Sequence, residues 1–271
     1  MTFVPAHSVV GPLAAQRMAF VLHGILGSAR NFQGFVRKLQ AEHPEWCFVL
    51  VDIRGHGASL AAPPPHSLRT CAEDLEHLAR EFGRTPQVLI GHSFGGKVCL
   101  QYAQSAGHEI QQLWLLDSNP RALELDPDSE VKRVLAAARS VPQPIVRRNE
   151  VSAALLRHGL GQHIASWMAT NLRLRGERYE WTLDFDIAQE LLEDYCRLDF
   201  AAYLQDPKQA PVVHWVIGQQ SDRITHAQYE WAQALAPSSR VSAHLLADAG
   251  HWLHVDNPEG LLDLFSLHFP P

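Results

Sequence analysis

Short apolar runs alternate with helical patterns along most of this chain, and this alternation restricts the fold more than any other feature. Continuous apolar runs of about four to eight residues, rich in Val, Leu and Ile, are typical of strands buried on both faces of a sheet. Six runs have this character: Met18–His23, Cys47–Asp52, Gln87–Gly91, Leu113–Asp117, Pro211–Gly218 and Val241–Ala247. Helical patterns follow five of them: around Phe32–Gln40, Leu68–Phe82, Phe94–Ser105, Ala227–Leu235 and Pro258–Leu267. This order predicts an α/β fold whose mostly parallel central sheet has helices on both faces.

The alternation is interrupted once, between Asp117 and Pro211, where helical patterns occur without a clear buried strand. Asp126-Pro127 predicts a helix start, because a capping carboxylate and a proline in the first turn are N-terminal signals. The helical patterns are Ser129–Arg139, Val151–His158, His163–Arg173 and Ile187–Cys196. A single crossover does not need about 90 residues. We therefore expect a core formed by residues 1–120 and 206–271, with residues 121–205 inserted as a helical lid; ordinary crossover helices are the alternative.

Composition excludes several functional classes. With 46% hydrophobic and 19% charged residues among 271, the chain can form a globular core. Its net charge of −6 and the lack of a basic run argue against nucleic acid or an anionic membrane as partner. We find neither a signal peptide pattern nor the roughly 18 apolar residues of a membrane span. The four cysteines, Cys47, Cys71, Cys99 and Cys196, lack metal-site spacing, which predicts reduced thiols, no metal and a cytoplasmic protein.

The segment Gly91–Gly95 fits the pattern G-x-S-x-G and lies between a predicted strand and a predicted helix. In such a nucleophile elbow the serine occupies a sharp turn with strained backbone angles, and the flanking glycines leave room for it. The N-terminus of the following helix favours negative charge that develops nearby. The sequence therefore predicts Ser93 as a catalytic nucleophile.

A serine nucleophile needs a base, and the base needs a carboxylate that orients it. His251 follows the last predicted strand directly and is the expected base; His254, three residues further on, is the alternative. Asp117 and Asp222 each lie just beyond a predicted strand. Because the ends of parallel strands meet at one edge of a sheet, either carboxylate could reach the histidine. Spacing alone leaves this choice open.

Two further loops follow predicted strands. His23–Ser28 contains a glycine that lets the backbone turn beneath the serine, so the N–H groups of Ile25 and Phe94 are expected to form an oxyanion hole. A simple tight turn is the alternative. Asp52–Ser59 is interpreted as a structural turn near the elbow, because it does not fit the G-x-G-x-x-G pattern of dinucleotide sites.

Together and in this order, the segments HGILGS, DIRGHGAS, GHSFGGK, DSNP and GHWLH resemble the α/β-hydrolase superfamily, and within it the small acyl-ester and acyl-thioester hydrolases. The resemblance extends from about Met18 to Leu267 and implies the α/β-hydrolase fold, a serine triad and no cofactor. It favours Asp117 as the triad acid. In many other members the acid lies in the loop after the next strand, where this chain has Ser221, with Asp222 one residue later.

The expected function is hydrolysis of a small-molecule ester or acyl thioester through an acyl-enzyme on Ser93. A carbon–carbon bond or lactone hydrolase on the same fold, or a non-catalytic ligand-binding relative, is the alternative. Apolar residues of the lid are expected to wall an acyl pocket, or else to form the lid's own core: Leu155, Leu156, Ile164, Trp167 and Met168. Because one methylene contributes only about 1–3 kcal/mol to binding in such a pocket, we expect activity on esters of many chain lengths. The sequence predicts neither a chain length nor an oligomeric state.

Overall fold

The computed structural model describes residues 3–106, 109–236 and 238–270, and its main element is a twisted β-sheet. The strands along these residues are β1 (His7–Val10), β2 (Arg17–Leu22), β3 (Trp46–Val51), β4 (Val88–His92), β5 (Gln112–Leu116), β6 (Leu172–Arg175), β7 (Arg178–Trp181), β8 (Val212–Gly218) and β9 (Val241–Leu246). Seven of them form one sheet in the order β1-β3-β2-β4-β5-β8-β9, while β6 and β7 form a separate hairpin. Only β1 is antiparallel to its neighbour in the seven-stranded sheet.

The parallel register brings the loops that follow the strands to one edge of the sheet. Leu22 of β2 is opposite Gly91 of β4, and His92 is opposite Leu116 of β5. The chain therefore leaves β2, β4 and β5 at neighbouring points, and β8 and β9 continue the same edge. This is the edge at which parallel α/β sheets bind their ligands.

Helices cover both faces of the sheet, which confirms the predicted fold class. The helices along the described residues are α1 (Gln33–Glu42), α2 (Leu68–Glu81), α3 (Phe94–Ala106), α4 (Glu130–Arg139), α5 (Arg148–Arg157), α6 (Gln162–Met168), α7 (Phe185–Arg197), α8 (Ala201–Gln205), α9 (His226–Leu235), α10 (Leu253–Asp256) and α11 (Pro258–His268). Side chains alternate between the two cores along each strand: Leu89 packs with α2 and α3, whereas Val88 and Ile90 pack with α1 and α11. Within the described ranges, none of these helices has the length and apolar character needed to cross a bilayer.

The segment between β5 and β8 differs from the sequence predictions in two places. The first helix starts at Glu130 rather than at Asp126-Pro127, because the Asp126 carboxylate closes a turn by accepting the N–H of Asp128 at 2.8 Å. The helix predicted over His163–Arg173 ends at Met168, after which a short 3₁₀ turn leads into β6. The predicted helix Ile187–Cys196 lies within α7.

Strands β1, β6 and β7 were not predicted from the sequence, and their exposure explains why. The β6–β7 hairpin buries few of its side chains, and residues such as Arg173 and Arg175 interrupt any apolar run. Strand β1 lies at the sheet edge, where its four residues are only partly covered. A criterion that depends on continuous apolar runs identifies buried strands and misses such exposed ones.

A buried ion pair fixes the loop after β3 to α2. The guanidinium of Arg54 donates two hydrogen bonds to the carboxylate of Asp74, at 2.8 and 2.9 Å, and both side chains are almost fully buried. A third nitrogen of Arg54 donates to the carbonyls of Pro63 and Pro65. The arginine therefore organises the proline-containing loop as well as the ion pair.

We expect Arg54→Met to lower the free energy of unfolding by about 3–5 kcal/mol, because it leaves the buried Asp74 carboxylate without its partner. Urea denaturation followed by circular dichroism measures this loss. Arg69→Met is the matched control, since Arg69 pairs with Glu73 on the exposed surface of the same helix; its cost should stay below about 1 kcal/mol. Equal costs for the two variants would contradict the importance of the buried pair.

Candidate active site

Ser93 lies at the turn from β4 to α3, and its backbone has a φ of 50°, in the left-handed region. The Ser93 N–H donates to the carbonyl of Leu116 at 2.9 Å. The Ser93 carbonyl accepts the N–H of Gly96 at 3.0 Å and the hydroxyl of Ser118 at 2.6 Å. These bonds to neighbouring elements stabilise a backbone conformation that is unfavourable for a residue with a Cβ.

The glycines of the G-x-S-x-G pattern are required by close backbone contacts. A Cβ at Gly91 would lie 2.5 Å from the carbonyl oxygen of Gly95. A Cβ at Gly95 would lie 2.5 Å from the carbonyl oxygen of His23, the residue directly after β2. Helix α3 therefore packs against the ends of β4 and β2 at a distance that no side chain at these two positions would permit.

The structure brings Asp117 and His251 together. Oδ2 of Asp117 lies 2.7 Å from Nδ1 of His251, and the Asp117 side chain is fully buried. The same oxygen accepts the hydroxyl of Ser221 at 2.5 Å, and Oδ1 accepts the N–H of Gly218 at 3.1 Å. One donor at the end of β8 and one in the loop after it therefore satisfy the carboxylate in addition to the histidine.

The alternative candidates do not make this contact. The Asp222 side chain is 79% exposed, and its carboxylate lies 3.1 Å from Nε of Arg223. His254 is buried, with its ring stacked on Phe32 at 3.9 Å between centroids. Burial lowers the pKa of His254 to about 3, so its ring is neutral at physiological pH.

Two residues of the site were missed by the sequence analysis. Ser221 stands where many members of the family have an acid, and its hydroxyl, just after a strand end, donates to Asp117. His92 precedes the nucleophile, and its Nε2–H donates to the backbone carbonyl of His251 at 2.8 Å. Burial lowers the pKa of His92 well below its ordinary value, so the ring is neutral and supports the loop that carries His251. Nothing in a single sequence indicates this contact.

The N–H groups predicted as oxyanion donors have no partner among the described residues. Neither the N–H of Ile25 nor that of Phe94 donates a hydrogen bond to another described residue. The next N–H in the loop, that of Leu26, already donates to Nε2 of His56 at 3.1 Å. Ile25 lines the same cavity as Ser93.

Two buried histidines join the loop after β2 to the loop after β3. Nε2 of His23 accepts the N–H of Ile53 at 3.0 Å, and Nε2 of His56 accepts the N–H of Leu26 in return. Each ring donates its Nδ1–H to a backbone carbonyl. Burial lowers the pKa of His23 to about 4 and that of His56 to about 3, so both rings stay neutral. The turn predicted to be structural therefore fixes the position of the Ile25 loop.

A buried lysine attaches the segment between β5 and β8 to the elbow helix. The Lys97 ammonium donates to the carbonyls of Arg121, Tyr195 and Leu198 at 2.8, 2.6 and 2.8 Å. Two of these carbonyls lie at the C-terminal end of α7, where a cation is favoured. Burial lowers the pKa of Lys97 to about 8.

A cavity of about 400 Å³ contains Ser93, Asp117 and His251 in its lining. The segment between β5 and β8 contributes a largely apolar wall: Leu123, Leu125, Val131, Val134, Ile164, Trp167, Leu192 and Tyr195. Of the five residues expected there, Ile164 and Trp167 line the cavity. Leu155 and Met168 are instead buried among the helices, and Leu156 is 42% exposed. Among the described residues, no group of His, Cys, Asp or Glu is arranged to hold a metal ion.

Several known proteins resemble this chain over most of its length. Residues 20–258 match the family of the alpha/beta hydrolase fold. The chain is 26% identical over 251 residues to the sn-1-specific diacylglycerol lipase ABHD11 of Mus musculus, covering 89% of this chain and 77% of that protein. It is 25% identical over 245 residues to esterase YbfF of Escherichia coli (strain K12), covering 89% of both chains. A solved marine microorganism esterase superimposes with a TM-score of 0.80 at 21% identity, covering 96% of this chain and 97% of that one.

The neutral histidines predict a specific pH dependence of stability. Between about pH 6.5 and 4 the unfolded chain binds protons at His23 and His56 that the folded chain excludes. The contribution of these two rings to the free energy of unfolding is therefore fully present above pH 6.5 and decreases as the pH falls. We expect His56→Gln, which removes one such group, to make this decrease shallower by at most about 1.4 kcal/mol per pH unit. Urea denaturation at pH 7, 6 and 5 measures the slopes; parallel slopes for the variant and the unchanged protein would contradict the prediction.

Proposed function

Because the chain belongs to the α/β-hydrolase family, we propose that it is a serine hydrolase that cleaves carboxylic esters or acyl thioesters. The observation that carries the proposal is the 2.7 Å contact between Asp117 and His251 in the cavity that also contains Ser93 at its strained turn. A buried carboxylate on the Nδ1 side of a histidine, near a serine at an elbow, is the arrangement of a catalytic triad.

In the first step the Ser93 hydroxyl attacks the carbonyl carbon of the substrate while Nε2 of His251 takes its proton. The Asp117 carboxylate accepts the Nδ1–H of His251, which fixes the tautomer and stabilises the imidazolium cation that forms. Ser221 and His92 act as positioning residues, since one holds the carboxylate of Asp117 and the other holds the backbone of His251.

The negative charge on the carbonyl oxygen requires donors that are already in place. The N–H groups of Ile25 and Phe94 are proposed for this purpose, because both are free of other partners among the described residues. The imidazole bridges of His23 and His56 hold the Ile25 loop in position. Loss of one such donor typically reduces the rate by about 10²–10³.

Collapse of the tetrahedral intermediate breaks the bond to the leaving alcohol or thiol, which takes the proton from His251. The acyl group remains on Ser93 as an ester. A water molecule then transfers a proton to His251 and attacks this ester, and the second collapse releases the carboxylic acid and returns the proton to Ser93.

Residues 121–205 are proposed as a lid that forms the acyl-binding wall of the cavity. Their apolar side chains lie opposite a catalytic edge that would otherwise be open to water. The names of the two relatives, a diacylglycerol lipase and an esterase, support ester substrates. Acyl thioesters stay within the proposal because the same chemistry cleaves both.

We expect Ser93→Ala to reduce hydrolysis of p-nitrophenyl esters by at least about 10³-fold, because the acyl-enzyme cannot form. A series from acetate to palmitate, with acyl-CoA thioesters alongside, also measures the chain-length selectivity. Circular dichroism checks that the variant is folded, and a fluorophosphonate probe should label Ser93 only in the unchanged protein. A folded protein without activity on any of these substrates would favour a carbon–carbon bond hydrolase or a binding protein, and a lack of labelling at Ser93 as well would favour the binding protein.

A second comparison tests which aspartate serves the histidine. Asp117→Asn is expected to reduce kcat by about 10²–10⁴-fold, since the amide can no longer hold the correct tautomer of His251. Asp222→Asn is the matched control and should stay within about threefold of the unchanged protein, because its side chain is exposed and does not contact His251. The reverse order of these losses would assign the triad acid to Asp222.

A further inference from the structure

The charges that line the cavity are few. Among its described lining residues the ionisable carboxylates and strong cations are Asp117, Glu130 and Arg223. Asp117 is engaged by His251. The other two contact each other, as Nη2 of Arg223 donates to Oε1 of Glu130. Among the described lining residues, Arg223 is therefore the one arginine, and its guanidinium is already paired with the carboxylate of Glu130.

This ion pair joins the segment between β5 and β8 to the loop after β8. Glu130 is the first residue of α4, whereas Arg223 lies in the loop after β8. The backbone N–H of Arg223 donates to Oγ of Ser221 at 3.1 Å, and the Ser221 hydroxyl in turn donates to Asp117. The backbone of Arg223 is therefore bonded to a residue that contacts the proposed triad, and Arg223 lines the same cavity as Ser93.

Glu130 provides the main compensation for the charge of Arg223. Asp222 also contacts the guanidinium, but its side chain is 79% exposed, so water and salt screen it strongly. The side chains of Glu130 and Arg223 are only 35% and 34% exposed, and their interaction is screened less. A substrate carboxylate that reached Arg223 would have to displace Glu130 or lie beside a like charge.

We propose that Glu130 determines substrate specificity by occupying Arg223, so that the cavity accepts neutral acyl groups and rejects those that carry a carboxylate. The inference rests on the proposed function as an ester hydrolase. A neutral chain packs against apolar residues such as Leu123, Leu125 and Val134 without loss of a charged partner. An anionic chain in the same place would leave one carboxylate without a partner among apolar groups, which is unfavourable.

The test compares two acyl groups of equal length. The substrates are p-nitrophenyl hexanoate and mono-p-nitrophenyl adipate at pH 7.5, whose six-carbon acyl groups differ by a terminal carboxylate. The unchanged protein should strongly prefer the hexanoate. Glu130→Gln should raise the adipate-to-hexanoate ratio of kcat/KM about tenfold or more, because Arg223 becomes free to bind the carboxylate. Adding Arg223→Gln to this variant should abolish the gain.

Asp128→Asn is the matched control, since it removes the same charge at an exposed position two residues away that does not line the cavity. Its ratio should equal that of the unchanged protein. Arg223→Gln alone should lower the ratio, because Glu130 then repels the carboxylate; this result tests the proposal even if Glu130→Gln fails to fold. A fluorophosphonate titration of Ser93 counts the active sites in each variant.

Three results would overturn the proposal: equal rates on both esters in the unchanged protein, an unchanged ratio in Glu130→Gln, or an equal gain in Asp128→Asn. Failure of the proposed function would look different. Hexanoate hydrolysis would then be absent, or independent of Ser93, whatever the residue at position 130.

Discussion

The site depends on the contact between the backbones of β4, α3 and β2 around Ser93. The positive φ of Ser93 is tolerated because Leu116, Gly96 and Ser118 bind its peptide groups, and because Gly95 lets α3 approach the carbonyl of His23. A Cβ at this glycine would push the helix away from β2. The serine, the Ile25 loop and the end of β5 would then lose their mutual positions, since each is defined relative to this turn.

Buried polar groups that are neutral or fully hydrogen-bonded hold the surrounding loops in position around this turn. The imidazoles of His23 and His56 join the loops after β2 and β3 without burying a charge, and the Asp52 carboxylate accepts N–H groups on both. Asn171, from the segment between β5 and β8, donates to the carbonyl of Leu26 at 2.8 Å. Because Lys97 ties the same segment to α3, the proposed lid is attached to the elbow helix and to the loop of the proposed oxyanion hole.

Sequence reasoning succeeded where burial dictates the pattern and failed where it does not. Five of the six predicted strands, β2, β3, β4, β5 and β8, are buried, and both of their faces are apolar. The sixth, β9, is a partly exposed edge strand that was predicted because its sequence still contains apolar residues. The half-buried β1 and the largely exposed β6–β7 hairpin carry no such pattern. Asp126 resembled a helix cap because an aspartate closes a turn and caps a helix through the same hydrogen bond. Spacing could not choose between Asp117 and Asp222, since the choice depends on which strand end faces the loop after β9.

The position of Asp117 also explains the residues that follow β8. A fully buried carboxylate is stable only if its oxygens are paired. Two donors meet this requirement: the N–H of Gly218, the last residue of β8, and the hydroxyl of Ser221 in the loop that follows. An aspartate at position 221, where many other members of the superfamily are expected to carry their acid, would replace a donor with a second anion beside Asp117. In this chain the buried Asp117 carboxylate is paired with the Ser221 hydroxyl, whereas the exposed Asp222 contacts Arg223.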